Sequence, residues 1–171
     1  MTMIKDGKLY IEMAFDLEGD IDLEGLDITS LPDGLTVGGG LDLSGTRIIS
    51  LPKGLTVGGD LDLNYTKIKS LPNDLSVGGD LDLNGCQNIK SLKSLPDGLS
   101  VGGGIYLVGL NIKSLPDGLR VRGNLDLRGC SSLKSLPDDL SVGGDLDLNY
   151  TKIKSLPDGL SVGGEILGYS N

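Results

Sequence analysis

Aspartates that recur about every 20 residues are the side chains in this sequence whose type and spacing most suggest chemistry. In several copies of a short repeat two of them flank a leucine, as in Asp60-Leu61-Asp62. Alternate residues of a strand point to the same side of a sheet, so each pair would project together. Such carboxylates can act as acid and base, bind a cation, or attract a basic partner. The set comprises Asp20, Asp22, Asp42, Asp60, Asp62, Asp80, Asp82, Asp126, Asp145 and Asp147.

Catalysis has little support among these uses. The sequence has no histidine, which removes His-based triads and His metal sites. Asp60 and Asp62 would lie about 7 Å apart, within the range that glycosidases use. However, most strands repeat the pair, and a flat ladder offers no pocket that would shift a pKa. We predict that the protein is not an enzyme and uses no cofactor.

One stretch resembles the opening of a calcium loop. Residues 80–85 read D-L-D-L-N-G, which fits the D-x-D-x-N-G pattern. The twelfth position is Ser91, where such a loop needs a bidentate glutamate, and the leucines belong to the apolar pattern of the repeat. We predict no metal site, with weak calcium binding between the aspartate columns as the alternative.

The aspartates belong to a repeat that organises most of the chain. Copies that start with Leu-Pro span 31–50, 51–70, 71–94, 95–114, 115–135 and 136–155, with partial copies on both sides. Apolar residues recur at positions 1, 5, 7, 11, 13 and 18 of each copy. One copy alone buries too little apolar surface to fold, so the copies must stack.

The alternation in x-Leu-x-Leu-x predicts one short strand per copy, with its leucines inward. We therefore predict a β-rich, right-handed solenoid with a parallel sheet of about eight strands. Proline at position 2 argues for mostly non-helical return segments. Position 9 is always glycine, which indicates positive φ or close backbone approach. Arg122 occupies position 8, so that position is predicted to be free of this requirement.

The repeat resembles a known family. The motif LDLxxTxI occurs at 41–48, 61–68 and 146–153, and a cysteine variant one residue longer occurs at 81–89 and 125–133. These segments are similar to the leucine-rich repeat patterns LxLxxNxL and LxLxxCxxL, with threonine in the asparagine position. The 20-residue period resembles the short repeats of bacterial type III secreted effectors and some phage-encoded proteins, without the effectors' catalytic domain. The resemblance covers roughly 19–168 and implies a leucine-rich repeat solenoid; a two-sided β-solenoid of another kind is the alternative.

Both ends of the array suggest how it terminates. Asp6-Gly7 between short apolar stretches predicts a hairpin, so residues 1–18 are assigned to an N-terminal cap and 19–171 to the solenoid. Met13 and Phe15 are expected to cover the first coil. No polar cap is evident after the last strand, so a homodimer through the C-terminal strand edge is a further hypothesis.

Composition limits the partners and the compartment. A net charge of −9 argues against general binding to nucleic acid or to an anionic membrane. With no long apolar run and no signal-like segment, we expect a cytoplasmic protein. Cys86 and Cys130 are predicted to lie two strands apart, about 9–10 Å, which is too far for a disulfide.

The outward aspartates have two interpretations. Like charges on neighbouring strands destabilise a sheet, so their repetition favours an acidic face that binds a basic protein, which the chain would inhibit or recruit. The alternative is a solubilising surface copied with the repeat. Tyr106 interrupts the acidic column and is the predicted anchor, with Arg128 on the next strand. Reversal of Asp62 and Asp82 to lysine is expected to remove binding and leave folding intact.

Two further functions remain open at this point. The columns would carry about one charge per 2.4 Å, compared with about one per 1.7 Å in duplex DNA. The protein could therefore act as a nucleic-acid-mimic decoy for a DNA- or RNA-binding protein, as in conflicts between phage and host. A self-assembling structural scaffold is the other alternative.

Overall fold

The chain winds as a parallel β-solenoid of about seven turns. The computed structural model describes residues 2–6, 8–11, 16–86 and 95–169, and these residues contain no helix. The β-rich solenoid with non-helical returns that the repeat predicts is thus confirmed. Met13, Phe15 and residues 87–94 lie outside the described residues.

A hairpin precedes the solenoid. Strands β1 (Thr2–Lys5) and β2 (Lys8–Ile11) pair antiparallel, with Lys5 opposite Lys8. The hairpin predicted around Asp6 is therefore present. Strand β3 (Asp16–Leu17) lies inside the range assigned to the cap, yet it already pairs with the solenoid.

Each turn of the solenoid contributes two short strands that stack in parallel on the same strands of the neighbouring turns. Positions 8 and 9 of each copy, for example Gly58-Gly59, form a bend that is called the Gly-Gly corner here. One run of strands precedes this corner and falls into two groups: β3, β5 (Thr36–Val37), β7 (Thr56–Val57), β9 (Ser76–Val77) and β11 (Ser100–Val101), then β13 (Arg120–Val121), β15 (Ser141–Val142) and β17 (Ser161–Val162). The other run follows the corner as one eight-stranded sheet, here called the aspartate sheet: β4 (Ile21–Asp22), β6 (Leu41–Asp42), β8 (Leu61–Asp62), β10 (Leu81–Asp82), β12 (Ile105–Tyr106), β14 (Leu125–Asp126), β16 (Leu146–Asp147) and β18 (Ile166–Leu167).

The aspartate sheet matches the predicted eight strands, whereas the ladder before the corner is not anticipated by the sequence analysis. The signal for it is weak, because only two residues per copy form the strand, usually a Ser or Thr followed by an inward valine. β-branched residues fit a pleated surface, but two residues carry no readable alternation.

The core consists of stacked aliphatic columns at the predicted positions. In the copy at 51–70 all six apolar positions are buried; they are Leu51, Leu55, Val57, Leu61, Leu63 and Ile68. In the last turn the corresponding side chains, such as Leu160, Val162 and Ile166, are only half-buried, because no described turn packs beyond them. Across the described residues there is no helix of the length and apolarity needed to cross a membrane.

Both glycines of the corner are required by the close approach of consecutive turns. A Cβ at position 9, for example on Gly59, would lie 2.8 Å from the backbone nitrogen of Gly40. At position 8, a Cβ on Gly58 would lie 2.2 Å from the carbonyl oxygen of Gly38. Neither glycine adopts a positive φ, so steric contact and not backbone conformation excludes a side chain.

The prediction that position 8 tolerates a side chain is therefore wrong. At Arg122 the ladder before the corner is interrupted: β11 pairs with β9 and β13 pairs with β15, but β11 and β13 do not pair. The Cβ of Arg122 stands where every other full copy avoids one, so the chain separates locally instead of stacking.

We predict that Gly58→Ala destabilises the protein and that Gly38→Ala does not. A Cβ on Gly58 meets a backbone oxygen that cannot move without breaking the ladder, which should cost about 1–3 kcal/mol. A Cβ on Gly38, at the same repeat position, finds its nearest atom 3.4 Å away, at the carbonyl oxygen of Leu17. Urea unfolding of both variants measures the difference, and equal midpoints would contradict the steric explanation.

Candidate functional site

The aspartates lie on one wall of the solenoid in two neighbouring columns. Strand register places Asp22, Asp42, Asp62 and Asp82 opposite one another, and Tyr106 continues this inner column. The column proceeds through Asp126 and Asp147 to Leu167. The flanking column starts each strand and contains Asp20, Asp60, Asp80, Asn124, Asp145 and Glu165. All ten predicted aspartates are thus brought together on one face.

Each aspartate of the inner column also closes the turn that follows its strand. Its Oδ1 accepts a hydrogen bond from the backbone N–H two residues later, as in Asn64 to Asp62 at 2.7 Å and Asn84 to Asp82 at 2.9 Å. This is an Asx-type turn, in which a short carboxylate replaces a backbone acceptor. The same bond forms at Asp22, Asp42, Asp126 and Asp147.

The flanking column joins consecutive turns. The Oδ1 of Asp60 accepts the N–H of Asp80 at 2.7 Å, and the Oδ1 of Asp80 accepts the N–H of Gly104 at 2.6 Å. Asp20 and Asp145 act in the same way on the next turn. At Asn124 the side-chain Oδ1 accepts the N–H of Asp145 at 2.8 Å, so the bond needs an acceptor oxygen and not a charge; Gly40 and Gly104 hold the same position without it.

These hydrogen bonds change the meaning of the repeated carboxylates. Unit charges about 4.8 Å apart repel by about 0.9 kcal/mol in water. A hydrogen bond to a charged acceptor contributes about 1.5–3 kcal/mol, which offsets that repulsion. The hydrogen bonds of the aspartates to backbone N–H groups therefore give their repetition a structural cause, which the repeat pattern alone does not show. A lysine at Asp62 or Asp82 cannot accept the turn bond, so charge reversal would affect folding as well as binding, and asparagine is the better replacement.

Asp62 is the aspartate whose protonation the environment changes most clearly. Partial burial raises the pKa of its carboxyl, and the charges of Asp42 and Asp82 on either side raise it further. The hydrogen bonds from Asn64 oppose this change without cancelling it. Asp62 thus lies between two like charges of the inner column.

Tyr106 is less exposed than an interface anchor would be. Its side chain is half-buried and lies across Gly104, where an added Cβ would be 3.1 Å from the tyrosine hydroxyl. The hydroxyl donates to the Oδ2 of Asp80 at 3.4 Å, and burial together with this carboxylate raises the pKa of Tyr106. The turn that Tyr106 cannot close is closed instead by Asn84, which accepts the N–H of Val108 at 2.8 Å.

Arg128 neutralises one end of the face. Its guanidinium binds Asp126 through two nitrogens, at 2.9 Å and 2.6 Å to Oδ2, and lies 3.7 Å from Asp147. Asp126 is only 8% exposed beneath it. The predicted contact residues Asp126 and Arg128 therefore pair with each other within the chain, and Arg128 covers this part of the sheet.

Two exposed tyrosines lie on the rim beside the inner column. Tyr65 and Tyr150 are 75% and 85% exposed and have φ values of 58° and 61°. Glycine holds this turn position in most other copies, as in Gly85 with φ 69°. A positive φ is unusual for a bulky residue and costs of order 1 kcal/mol. The sequence shows the replacement of glycine, but not this combination of strain and exposure.

The acidic wall contains a shallow groove over its first strands. Gly40 has no side chain, and a cavity of about 300 Å³ lies there, bordered by Asp20, Asp22, Asp42, Asp60 and Asp62. Within the described part of the chain, the carboxylates of Asp22, Glu24 and Asp42 approach one another within 4.8 Å, close enough for a cation. In the calcium-like stretch Asp80, Asp82 and Asn84 likewise each accept a backbone hydrogen bond.

The thiols of the two cysteines are buried and donate hydrogen bonds to backbone carbonyl groups. The thiol of Cys86 lies 2.9 Å from the carbonyl oxygen of Leu63, and that of Cys130 lies 3.1 Å from the carbonyl oxygen of Leu107. Burial raises the pKa of both thiols, to about 11 for Cys130. Both therefore remain protonated at neutral pH and are poor nucleophiles.

Compared with known proteins, the chain matches no family model, no curated protein and no solved structure.

We predict that Asp82→Ala destabilises the protein and that Asp82→Asn largely does not. Alanine leaves the N–H of Asn84 without its acceptor, which should cost about 1 kcal/mol, whereas asparagine retains an acceptor oxygen. Urea unfolding at neutral pH provides the comparison. A cost that is equal for both variants would assign the effect to the lost charge.

Asp62→Asn should stabilise the protein at pH 7, and this gain should disappear in acid. Because the folded pKa of Asp62 is raised above the ordinary 3.8, the folded state holds more protons than the unfolded state between these two values. The stability of the wild type therefore falls as the pH rises through that window. We expect the gap between variant and wild type in urea unfolding to be largest above the raised pKa and smallest below 3.8. A gap independent of pH would refute this.

Proposed function

We propose that the protein is a non-enzymatic binding module that inhibits or recruits a protein partner with a basic surface. The contact region is the part of the aspartate sheet from β4 to β10, with Asp20, Asp22, Asp42, Asp60, Asp62, Asp80 and Asp82 on its outer side. This assignment is narrower than the sequence prediction, because Arg128 covers the far end of the face.

The observation that carries the proposal is the lack of neutralising charge on this stretch. Within the described residues, arginine pairs with Asp27 at the edge and with Asp126 and Asp147 at the far end, but no ion pair reaches the aspartates of β4 to β10. Each inner-column carboxylate there uses Oδ1 for its turn, and at Asp22, Asp42 and Asp82 no described group binds Oδ2. A row of charges held rigidly in this way needs no reorganisation to meet cations on a partner.

The rim tyrosine supports a protein partner. Tyr65 lies three residues after the end of β8, and its ring passes over Gly85 of the next turn. An exposed aromatic ring beside carboxylates suits an arginine or lysine, because the ring face attracts the cation while the carboxylates bind its N–H groups. Tyr65 therefore replaces Tyr106 as the proposed anchor, and Tyr106 becomes a structural residue of the face.

The remaining hypotheses stay predictions. A decoy for nucleic-acid-binding proteins would use the same carboxylates, and a scaffold or a homodimer would use the β18 edge, which is unpaired within the described residues. A cytoplasmic location also remains a prediction. Nucleic acid, membranes and cofactors are not expected partners.

Charge removal on the face should weaken binding much more than the same removal elsewhere. A partner captured from the native host at low salt is purified, and its association rate is measured against wild type and the Asp62→Asn/Asp82→Asn double variant. We expect the rate to fall about tenfold and to depend strongly on salt, because charged faces act mainly by steering.

The matched control is Asp138→Asn/Asp158→Asn, which removes the same charge from exposed positions in the turns that follow Leu-Pro. Its association rate should stay within about twofold of wild type, as expected for charges outside the contact. Equal rates for both double variants would overturn the proposed face. Competition by duplex DNA would instead favour the decoy function, and self-association without a partner would favour the scaffold.

A further inference from the structure

The place where the ladder is interrupted forms a second groove, on a different side of each turn from the strand face of the aspartate sheet. A cavity of about 320 Å³ lies between the turns that contain β11 and β13. The groove narrows toward the Gly-Gly corner, where the N–H of Gly123 again reaches the carbonyl of Gly103 at 3.0 Å. The groove widens toward the Asp117-Gly118 turn that precedes β13. A Cβ on Gly118 would find no atom of the previous repeat within 4 Å, whereas a Cβ on the equivalent Gly54 would lie 3.7 Å from Gly34.

The groove leaves backbone groups unpaired on both walls. In other turns the residue at position 6 donates to the carbonyl at position 5 of the preceding turn, as Ser76 does to Leu55 at 3.2 Å. The residue at position 8 donates to the carbonyl at position 7, as Gly78 does to Val57 at 2.8 Å. Among the described residues no such bond joins Arg120 to Leu99 or Arg122 to Val101. Two donors therefore face two acceptors, with a spacing of about 7 Å along each wall.

Apolar and charged side chains complete the groove. Leu99 is half-buried where the equivalent leucines of neighbouring copies are buried, and Val101 is 7% exposed. Arg120 and Arg122 are exposed and alternate with the buried Val121, so both project from the same side of the strand. Neither arginine forms an ion pair with a described residue. Asp97 and Asp117 border the wide end.

We propose that this groove binds a short extended peptide by its two charged ends. The carboxylate of the peptide lies against Arg120 and Arg122, its ammonium group lies against Asp97 and Asp117, and its amides pair with the free groups of Arg120 and Leu99, away from the narrow end at the corner. Asp117 and Arg120 are three residues apart with a turn between them, so their Cα atoms are separated by less than about 10 Å, which lies within the span of an extended tripeptide. The volume lies at the lower end of that of small-molecule sites.

Charge complementarity selects this ligand over simpler ones. A free oxyanion would satisfy the arginines but would face the carboxylates of Asp97 and Asp117 across the groove. A cation would have the opposite problem. An uncharged amide would use the backbone groups alone. A zwitterionic peptide satisfies all three sets of groups, and its size fits the cavity.

The test uses triglycine as the probe, with binding measured by amide NMR shifts at residues 99–101 and 120–122 and by calorimetry. N-acetyl-triglycine and triglycine amide each lack one terminal charge, and inorganic phosphate supplies an oxyanion alone. We expect triglycine to bind at least tenfold more tightly than any of these. Equal binding of N-acetyl-triglycine or phosphate would overturn the proposal in favour of an oxyanion site, and no shift with triglycine would overturn it entirely.

Two substitutions at one position separate the cavity from the charge. Arg122→Gly restores the repeat residue, so it should reconnect β11 with β13, close the groove, raise the unfolding temperature and abolish triglycine binding. Arg122→Ala keeps a Cβ, so it should leave the groove open and bind triglycine about three- to tenfold more weakly than wild type, as expected for loss of one charged contact. If Arg122→Gly binds like wild type, the groove is not the site.

The matched control is Arg47→Ala, which removes an exposed arginine paired with Asp27. Triglycine affinity should not change in this variant, and a loss equal to that of Arg122→Ala would mean that binding follows net charge. The Asp62→Asn/Asp82→Asn variant should also bind triglycine normally, so the groove and the acidic face can fail independently.

Discussion

The structure depends on how closely consecutive turns can approach at the Gly-Gly corner. The two ladders lie on either side of this corner, and both need their strands at hydrogen-bonding distance. A single Cβ at position 8 would meet the carbonyl of the preceding turn at about 2.2 Å, as at Gly58 and Gly78. The corner therefore limits how closely the strands before it can approach one another. Where Arg122 violates it, the ladder before the corner parts, while the aspartate sheet continues through β12 and β14.

The second determinant is the hydrogen bonding of the aspartates. Each inner-column carboxylate closes a turn, and each flanking carboxylate joins two turns, so the acidic wall is part of what holds the solenoid together. Stability and surface charge are therefore linked in one residue. Repetition of aspartate is consequently poor evidence for binding by itself. The evidence lies in the charges that remain unneutralised along β4 to β10, in contrast to the end covered by Arg128.

The copies that depart from the repeat identify where the molecule is specialised. At Tyr106 the departure is compensated, because Asn84 closes the orphaned turn and Asp80 binds the hydroxyl. At Tyr65 and Tyr150 it is not, since both rings remain exposed at positive φ. At Arg122 the departure opens a groove in which backbone groups and two arginines have no partner among the described residues. The uncompensated departures are the positions on which both binding proposals rest.

Sequence alone determines the solenoid, its columns of leucine and the common side of the aspartates, because copies of nearly equal length and pattern stack with equivalent residues in register. It also determines that no histidine chemistry is available. Only the tertiary structure decides what the aspartates bind, since Asp62 contacts its own turn while Asp60 reaches the next one. Asp126 is covered by Arg128 of its own turn, whereas the partial burial of Tyr106 and the break at Arg122 depend on contacts between turns. Such contacts join residues some 20 positions apart, at distances that the pattern of one repeat does not contain.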